Sequence, residues 1–218
     1  VGNDGDDTLR GGSGVDLPQG GAGADTYLFG LTDFSTVPGA SRQQVVDGVG
    51  DDRLMFEFGL ADVTLSGGRD LVISSGSGQM TLTDAASSGV ETVVFSDTTL
   101  TMAQLYGEHL DQQVSQSAMT NGQRAFGGRQ NDSLSSAPNA KDVVLSGGRG
   151  DDTLTLQSIW GTRVLYRRGD GADSVVRPSS AGGGVLQLSG GMTLADLSLV
   201  SLGSGMYRLG LGAAGDSL

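Results

Sequence analysis

The chain has 218 residues, a formal net charge of −12 at pH 7, no cysteine and a single histidine. That is length for one or two domains with a core of their own, and the missing cysteines exclude a disulfide framework or a cysteine-based zinc site. No apolar run approaches the ~18 residues of a membrane-spanning helix, and the acidic balance argues against nucleic acid or an anionic membrane as a direct partner.

Of the 25 acidic residues 22 are Asp, and only Glu57, Glu91 and Glu108 are Glu. Helix surfaces favour Glu, whereas turns and hard-cation loops favour Asp. Glycine stands at 38 residues, more than twice its usual share of ~7%. The opening Val1-Gly2-Asn3-Asp4-Gly5-Asp6 lacks the basic-then-apolar pattern of a signal peptide.

From Gly2 three nine-residue copies of G-G-x-G-x-D-x-U-x run without a gap: Gly2–Arg10, Gly11–Gln19 and Gly20–Leu28. A further copy, Asp47–Met55, keeps the register 27 residues after Gly20. Next, Thr101-Met102-Ala103-Gln104 is a capping box, and Met102, Leu105, Tyr106, Leu110 and Val114 follow at helical spacing. The pattern predicts one amphipathic helix over about 102–117, capping the end of the first unit. In the second half Gly147–Thr155 is intact and Gly127–Ser135 is a worn copy with Gln130 in place of a turn glycine. The Ala137–Leu145 stretch keeps Asp142 without a glycine pair, and Gln157–Leu165 has lost the motif. A longer repeat encloses these copies: Leu60–Leu65 returns as Leu194–Leu199, and Phe29–Asp33 corresponds to Tyr166–Asp170. The chain therefore reads as two related units, 1–118 and 119–218, the second degenerate and truncated at Gly215–Leu218, and as a piece of something longer.

Each copy is a tight turn followed by a very short strand. The apolar residue two places after the Asp (Leu9, Tyr27, Leu54, Leu154) faces inward and its neighbours outward. Two copies make a coil of 18 residues, which places Asp7 over Asp25, Asp152 over Asp170, and Asp16 near Asp33. Pro18, at an inward strand position, removes a ladder donor. Stacked Asp turns repel one another without a cation. Ca²⁺ suits them, because it accepts six to eight oxygens in flexible geometry; Mg²⁺ demands a stricter octahedron.

At these residues the sequence resembles the RTX family of haemolysin-type calcium-binding repeat proteins. The resemblance implies an all-β fold, a parallel β-roll or β-solenoid with several Ca²⁺ ions between stacked turns, to which the capping box and spacing above add one short amphipathic helix. Carried over copy by copy, it implies Asp7, Asp16, Asp25 and Asp152 as carboxylate ligands, with Asp33, Asp132, Asp142 and Asp170 less well matched. The implied carbonyl donors are Gly2, Asp4, Gly5, Gly11, Ser13, Gly14, Gly20, Ala22 and Gly23, and in the second cluster Gly147, Arg149 and Gly150.

The rest of the sequence offers little catalytic chemistry. His109 would have to serve any Ser-His-Asp site, and no G-x-S-x-G is present. The pairs Asp6/Asp7, Asp51/Asp52 and Asp151/Asp152 point to opposite faces of an extended chain and do not form a facing acid and base. Trp160, Tyr166, Arg163, Arg167 and Arg168 could form a sugar- or anion-binding patch. The expected function is thus a non-catalytic, calcium-binding β-roll segment of a large secreted bacterial protein of adhesin or surface-structural type. The resemblance implies type I export and calcium-induced folding outside the cell, at the cell surface or beyond it. Its partners would be calcium, the secretion machinery, and either neighbouring repeats of the same protein or a cell-surface ligand. Two alternatives are the folding and secretion module of a secreted enzyme or toxin, and a glycan-binding module.

Overall fold

The strands are short because a turn interrupts the chain every few residues. In chain order they are β1 (Thr8–Leu9), β2 (Val15–Asp16), β3 (Thr26–Phe29), β4 (Arg42–Gln43) and β5 (Arg53–Phe56). Then come β6 (Thr64–Gly67), β7 (Leu71–Ser75), β8 (Gly78–Leu82), β9 (Thr92–Val94) and β10 (Thr99–Thr101). One helix, α1 (Met102–His109), precedes β11 (Ser115–Met119), β12 (Arg124–Phe126), β13 (Ser133–Ser136), β14 (Val144–Ser146) and β15 (Thr153–Thr155). The series closes with β16 (Thr162–Arg167), β17 (Ser174–Val176), β18 (Gly184–Ser189), β19 (Leu197–Gly203) and β20 (Met206–Leu211). This computed structural model describes residues 1–38, 40–45, 50–111, 113–119, 121–157, 160–177, 184–203 and 206–211. Asp47-Gly48-Val49 of the fourth copy and the terminal Gly215–Leu218 lie outside the described residues.

Two units, Val1–Leu105 and Tyr106–Leu218, divide the chain. In the first, two sheets run in the orders β1-β3-β5-β9-β10 and β2-β4-β8-β7-β6. The pairs between successive coils are parallel, as in Thr8↔Thr26 and Val15↔Arg42. Antiparallel pairs finish the sheets, β9 with β10 and β6-β7-β8 as a meander. Inward residues of the coils meet in the middle: Tyr27, Phe29, Leu54, Phe56, Leu71, Ile73 and Val93 are all buried. Phe29, Phe56 and Phe95 form an aromatic column with centroid spacings of 5.8 and 4.9 Å. Leu9, on the edge strand β1, is only half-buried. Pro18 is buried, and β2 stops two residues before it.

The second unit repeats the scheme with orders β11-β13-β15-β17 and β12-β14-β16-β18, all parallel, and the antiparallel pair β19-β20. Its core joins Ala125, Leu134, Val143, Leu145, Leu154 and Val164. The long repeat is visible in three dimensions: Leu60–Asp62 and Leu194–Asp196 are both single 3-10 turns leading into an antiparallel hairpin.

The capping box forms as expected, with Gln104 N–H on Thr101 Oγ1 at 3.2 Å and Thr101 N–H on Gln104 Oε1 at 2.8 Å. The helix ends at His109, however, rather than near residue 117. From Val114 onward the backbone is taken by neighbouring strands, Val114 N–H by Asp132 Oδ1 and Ser115–Met119 by β13. Inter-strand bonding displaces the helical pattern there.

Candidate metal centre

The nonapeptides that begin with Gly2, Gly11, Gly20, Gly127 and Gly147 fold the Asp back beneath that first glycine. A Cβ on Gly20 would stand 2.6 Å from Asp25 Cγ and 2.7 Å from Tyr27 Oη, so only glycine lets the carboxylate sit there. Gly147 stands in the same relation to Asp152, with a Cβ there 2.6 Å from its Cγ. At Gly23 the backbone has φ +138°, and a Cβ would come 2.5 Å from the Gly5 carbonyl carbon of the turn below. Positive φ and close approach together require glycine at that position.

The position-six carboxylates form ladders up the stack. Asp7 N–H donates to Asp25 Oδ1 at 2.7 Å, Asp25 N–H to Asp52 Oδ1 at 2.8 Å, and Asp52 N–H to Glu91 Oε2 at 3.1 Å. In the second unit Val114 N–H donates to Asp132 Oδ1 at 2.5 Å, Asp132 N–H to Asp152 Oδ1 at 2.7 Å, and Asp152 N–H to Asp173 Oδ1 at 3.1 Å. One oxygen each of Asp25, Asp52, Asp132, Asp152 and Asp173 thus registers the coils, whereas Asp7 accepts the Asn3 N–H of its own turn at 3.1 Å.

The other oxygen decides whether a cation belongs. Asp25 Oδ2 and Asp152 Oδ2 are buried and have no hydrogen-bond partner. A bare buried carboxylate costs several kcal/mol unless it is neutralised or paired. Burial accordingly pushes the Asp152 carboxyl up to about 7 and that of Asp173 to about 8, with the neighbouring carboxylates adding to both. A divalent cation removes that penalty, so the residues present fit calcium. Asp132 differs: its second oxygen accepts Gly128 N–H at 2.5 Å, and both its oxygens are served by the protein. Burial still raises its pKa. Among the described residues no three His, Asp or Glu side chains converge in a preformed centre. A cation here would take one or two carboxylates and complete its shell from backbone carbonyls.

The backbone of the turns is close-packed. Gly2 N–H donates to Gln19 O at 2.7 Å, Gly5 N–H to Ala22 O at 2.6 Å, and Ala22 N–H to Asn3 O at 3.1 Å. Asp4 bridges Ala22 in parallel, and Arg149 N–H reaches Gly128 O at 2.9 Å. Gly150 stands beside the Gln130 carbonyl, where a Cβ would come 2.6 Å from that oxygen.

Two expected stacks do not form. Asp173, rather than Asp170, stacks on Asp152, because this coil is 21 residues long instead of 18. Gln43, rather than Asp33, stacks on Asp16, paired with it in register across 27 residues. Asp33 and Asp170 instead hold corners, accepting Gly30 N–H at 2.8 Å and Arg167 N–H at 2.7 Å. Asp62 and Asp196 do the same for Gly59 and Thr193. The correspondence of Phe29–Asp33 with Tyr166–Asp170 is therefore a repeated corner. Sequence reasoning passed over Asp173 because Arg168 replaces the first glycine; Gly169-x-Gly171-x-Asp173-x-Val175 was the signal. Asp52 is legible in the sequence as a repeat Asp, and the ladder places it in the same row as Asp25.

The aromatic patch is not assembled on the surface. Tyr166 is 1% exposed, and its hydroxyl donates to Gly171 O at 2.5 Å. Arg167 pairs with Glu108 and Arg168 with Asp196. Trp160 is exposed, with Lys141 Nζ 5.5 Å from its ring centroid. His109 Nε2 lies 4.0 Å from Glu108.

No curated protein matches the chain. Among solved structures it is similar to extracellular lipase LipA from Serratia marcescens, at 16% identity and a TM-score of 0.34. That match covers all of this chain and 36% of the lipase, so the chain spans little more than a third of that protein. A family model of the RTX calcium-binding nonapeptide repeat matches four copies, over residues 1–31 and 139–157. In those two segments the chain carries RTX calcium-binding nonapeptide repeats.

Proposed function

We propose that this chain is a calcium-dependent β-roll segment of a larger secreted bacterial protein, non-catalytic in itself. Its role is structural, of adhesin or surface type, with type I export and folding on meeting external calcium. The observation that carries the reading is the pair of buried, partnerless oxygens, Asp25 Oδ2 and Asp152 Oδ2, each beneath a glycine that leaves room for nothing larger than hydrogen. Asp7 and Asp25 would hold an ion in the first unit, and Asp152 with Asp173 in the second, together with turn carbonyls. The ion supplies positive charge between carboxylates that otherwise repel. Each coil is too short to bury a core alone, so stability comes from stacking, and stacking needs the charge removed. At ten times its Kd, each ion adds about 1.4 kcal/mol, enough for a few sites together to tip a marginal unit. Extracellular calcium modules bind at roughly 10⁻⁴–10⁻³ M, which suits a switch thrown on export. The duplicated corner-and-hairpin element in both units favours a surface-structural setting over a single folding module.

Circular dichroism and thermal melting during a calcium titration from chelator test this, with magnesium as the control. A cooperative gain of β signal with calcium alone is expected. An already folded chain whose melting temperature ignores calcium overturns it. A catalytic motif in flanking sequence would overturn the surface-structural setting while leaving calcium-dependent folding in place.

A further inference from the structure

The second row of turns in the first unit is built differently from the first. Where the Asp7–Asp25–Asp52 row stacks carboxylate on carboxylate, the next residue above Asp16 is Gln43. Gln43 is fully buried. Its Nε2 lies 3.1 Å from Gly12 O, 3.4 Å from Gly14 O and 3.0 Å from Asp16 Oδ2. These oxygens belong to positions two, four and six of one nonapeptide, so three acceptors from a single turn converge on one nitrogen. Only one of them is charged.

The amide orientation follows from that set. Its Oε1 has no hydrogen-bond partner and points toward Gly11, where a Cβ would meet it at 2.5 Å. Turning the amide over would place an oxygen among three oxygens. An amide N–H₂ brings two hydrogens and no desolvated net charge to the turn, and it is tied by its own strand to the coil above. Asp25, in the other row, has no such donor for its Oδ2. We propose that Gln43 closes this turn in place of a calcium ion, its amide nitrogen standing where the cation would, so that the Asp16 row is calcium-independent. Calcium in the first unit then belongs to the Asp7–Asp25–Asp52 row alone. The inference rests on the calcium reading of that row.

Native mass spectrometry of the full chain at saturating calcium counts the bound ions and separates the two claims. Asp25→Asn is expected to lose at least one ion, whereas Asp16→Asn keeps the wild-type count. Gln43→Asp, which restores a second carboxylate, gains one ion; circular dichroism in calcium verifies that it is folded. Loss of an ion in Asp16→Asn, or no gain in a folded Gln43→Asp, overturns the role of Gln43 while the calcium reading stands. An unchanged count in Asp25→Asn overturns the calcium reading of the first row instead, and a wild type that binds no ion overturns both.

Discussion

Gly20→Ala isolates the consequence of seating a carboxylate beneath a glycine. The added Cβ would stand 2.6 Å from Asp25 Cγ and 2.7 Å from Tyr27 Oη. Neither neighbour can yield easily. Asp25 accepts Asp7 N–H at 2.7 Å and gives its own N–H to Asp52 at 2.8 Å. Tyr27 is fully buried, and its hydroxyl accepts the N–H of Gly20 itself at 2.8 Å. Overpacking costs roughly 1–3 kcal/mol and loss of that hydrogen bond about 1 kcal/mol, together about 2–4 kcal/mol. Gly76→Ala is the control: φ is +56° there and nothing lies within 4 Å of a Cβ, so only the left-handed conformation costs, about 1 kcal/mol. Melting in saturating calcium should fall by roughly 10–20 °C for Gly20→Ala and roughly 5 °C for Gly76→Ala in a unit of this size. Equal falls, or a smaller one for Gly20→Ala, would refute the seat.

Further expectations concern pH, packing and capping. Burial holds the Asp152 and Asp173 carboxyls near 7 and 8, against ~3.9 in an unfolded chain. Without calcium the folded second unit therefore keeps protons that the unfolded chain has released, and its stability falls as pH rises from about 4 toward 8. Calcium needs the ionised form, so its affinity weakens as pH drops through 8 and 7; titrations at pH 8.5 and 6.0 giving equal affinities would contradict this. Leu154→Ala, at a fully buried position, should cost about 2–5 kcal/mol in denaturant unfolding, and a cost under ~1 kcal/mol would place Leu154 outside the core. Thr101→Ala removes the helix cap and should cost about 1 kcal/mol, read in the same unfolding experiment.

The local unit was legible in the sequence, and the path between units was not. Gly20-Gly21-x-Gly23-x-Asp25 specifies its turn completely, and Tyr27, Leu54 and Leu154 face inward because a strand alternates with period two. The stacking partner depends on coil length, which nine-residue periodicity sets at 18 but which runs to 27 between Asp25 and Asp52 and 39 between Asp52 and Glu91. The corner at Leu31–Asp33 lies within the coil between Asp16 and Gln43 and leaves β2 and β4 paired in register, so counting from Asp16 leads to Asp33 when the sheet leads to Gln43. In the same way Asp170 matched the count, while Asp173 matched the fold. Corner carboxylates and ladder carboxylates are both Asp in glycine-rich turns, and only backbone pairing distinguishes them.

The most direct test of calcium between these turns is a crystal grown in calcium and measured for anomalous scattering. Peaks at calcium–oxygen distances of about 2.3–2.6 Å from Asp25 Oδ2 and Asp152 Oδ2, with none beside Asp16 Oδ2, are the result this account predicts. Both carboxylates found bare, or satisfied by protein donors alone with calcium present, would contradict it.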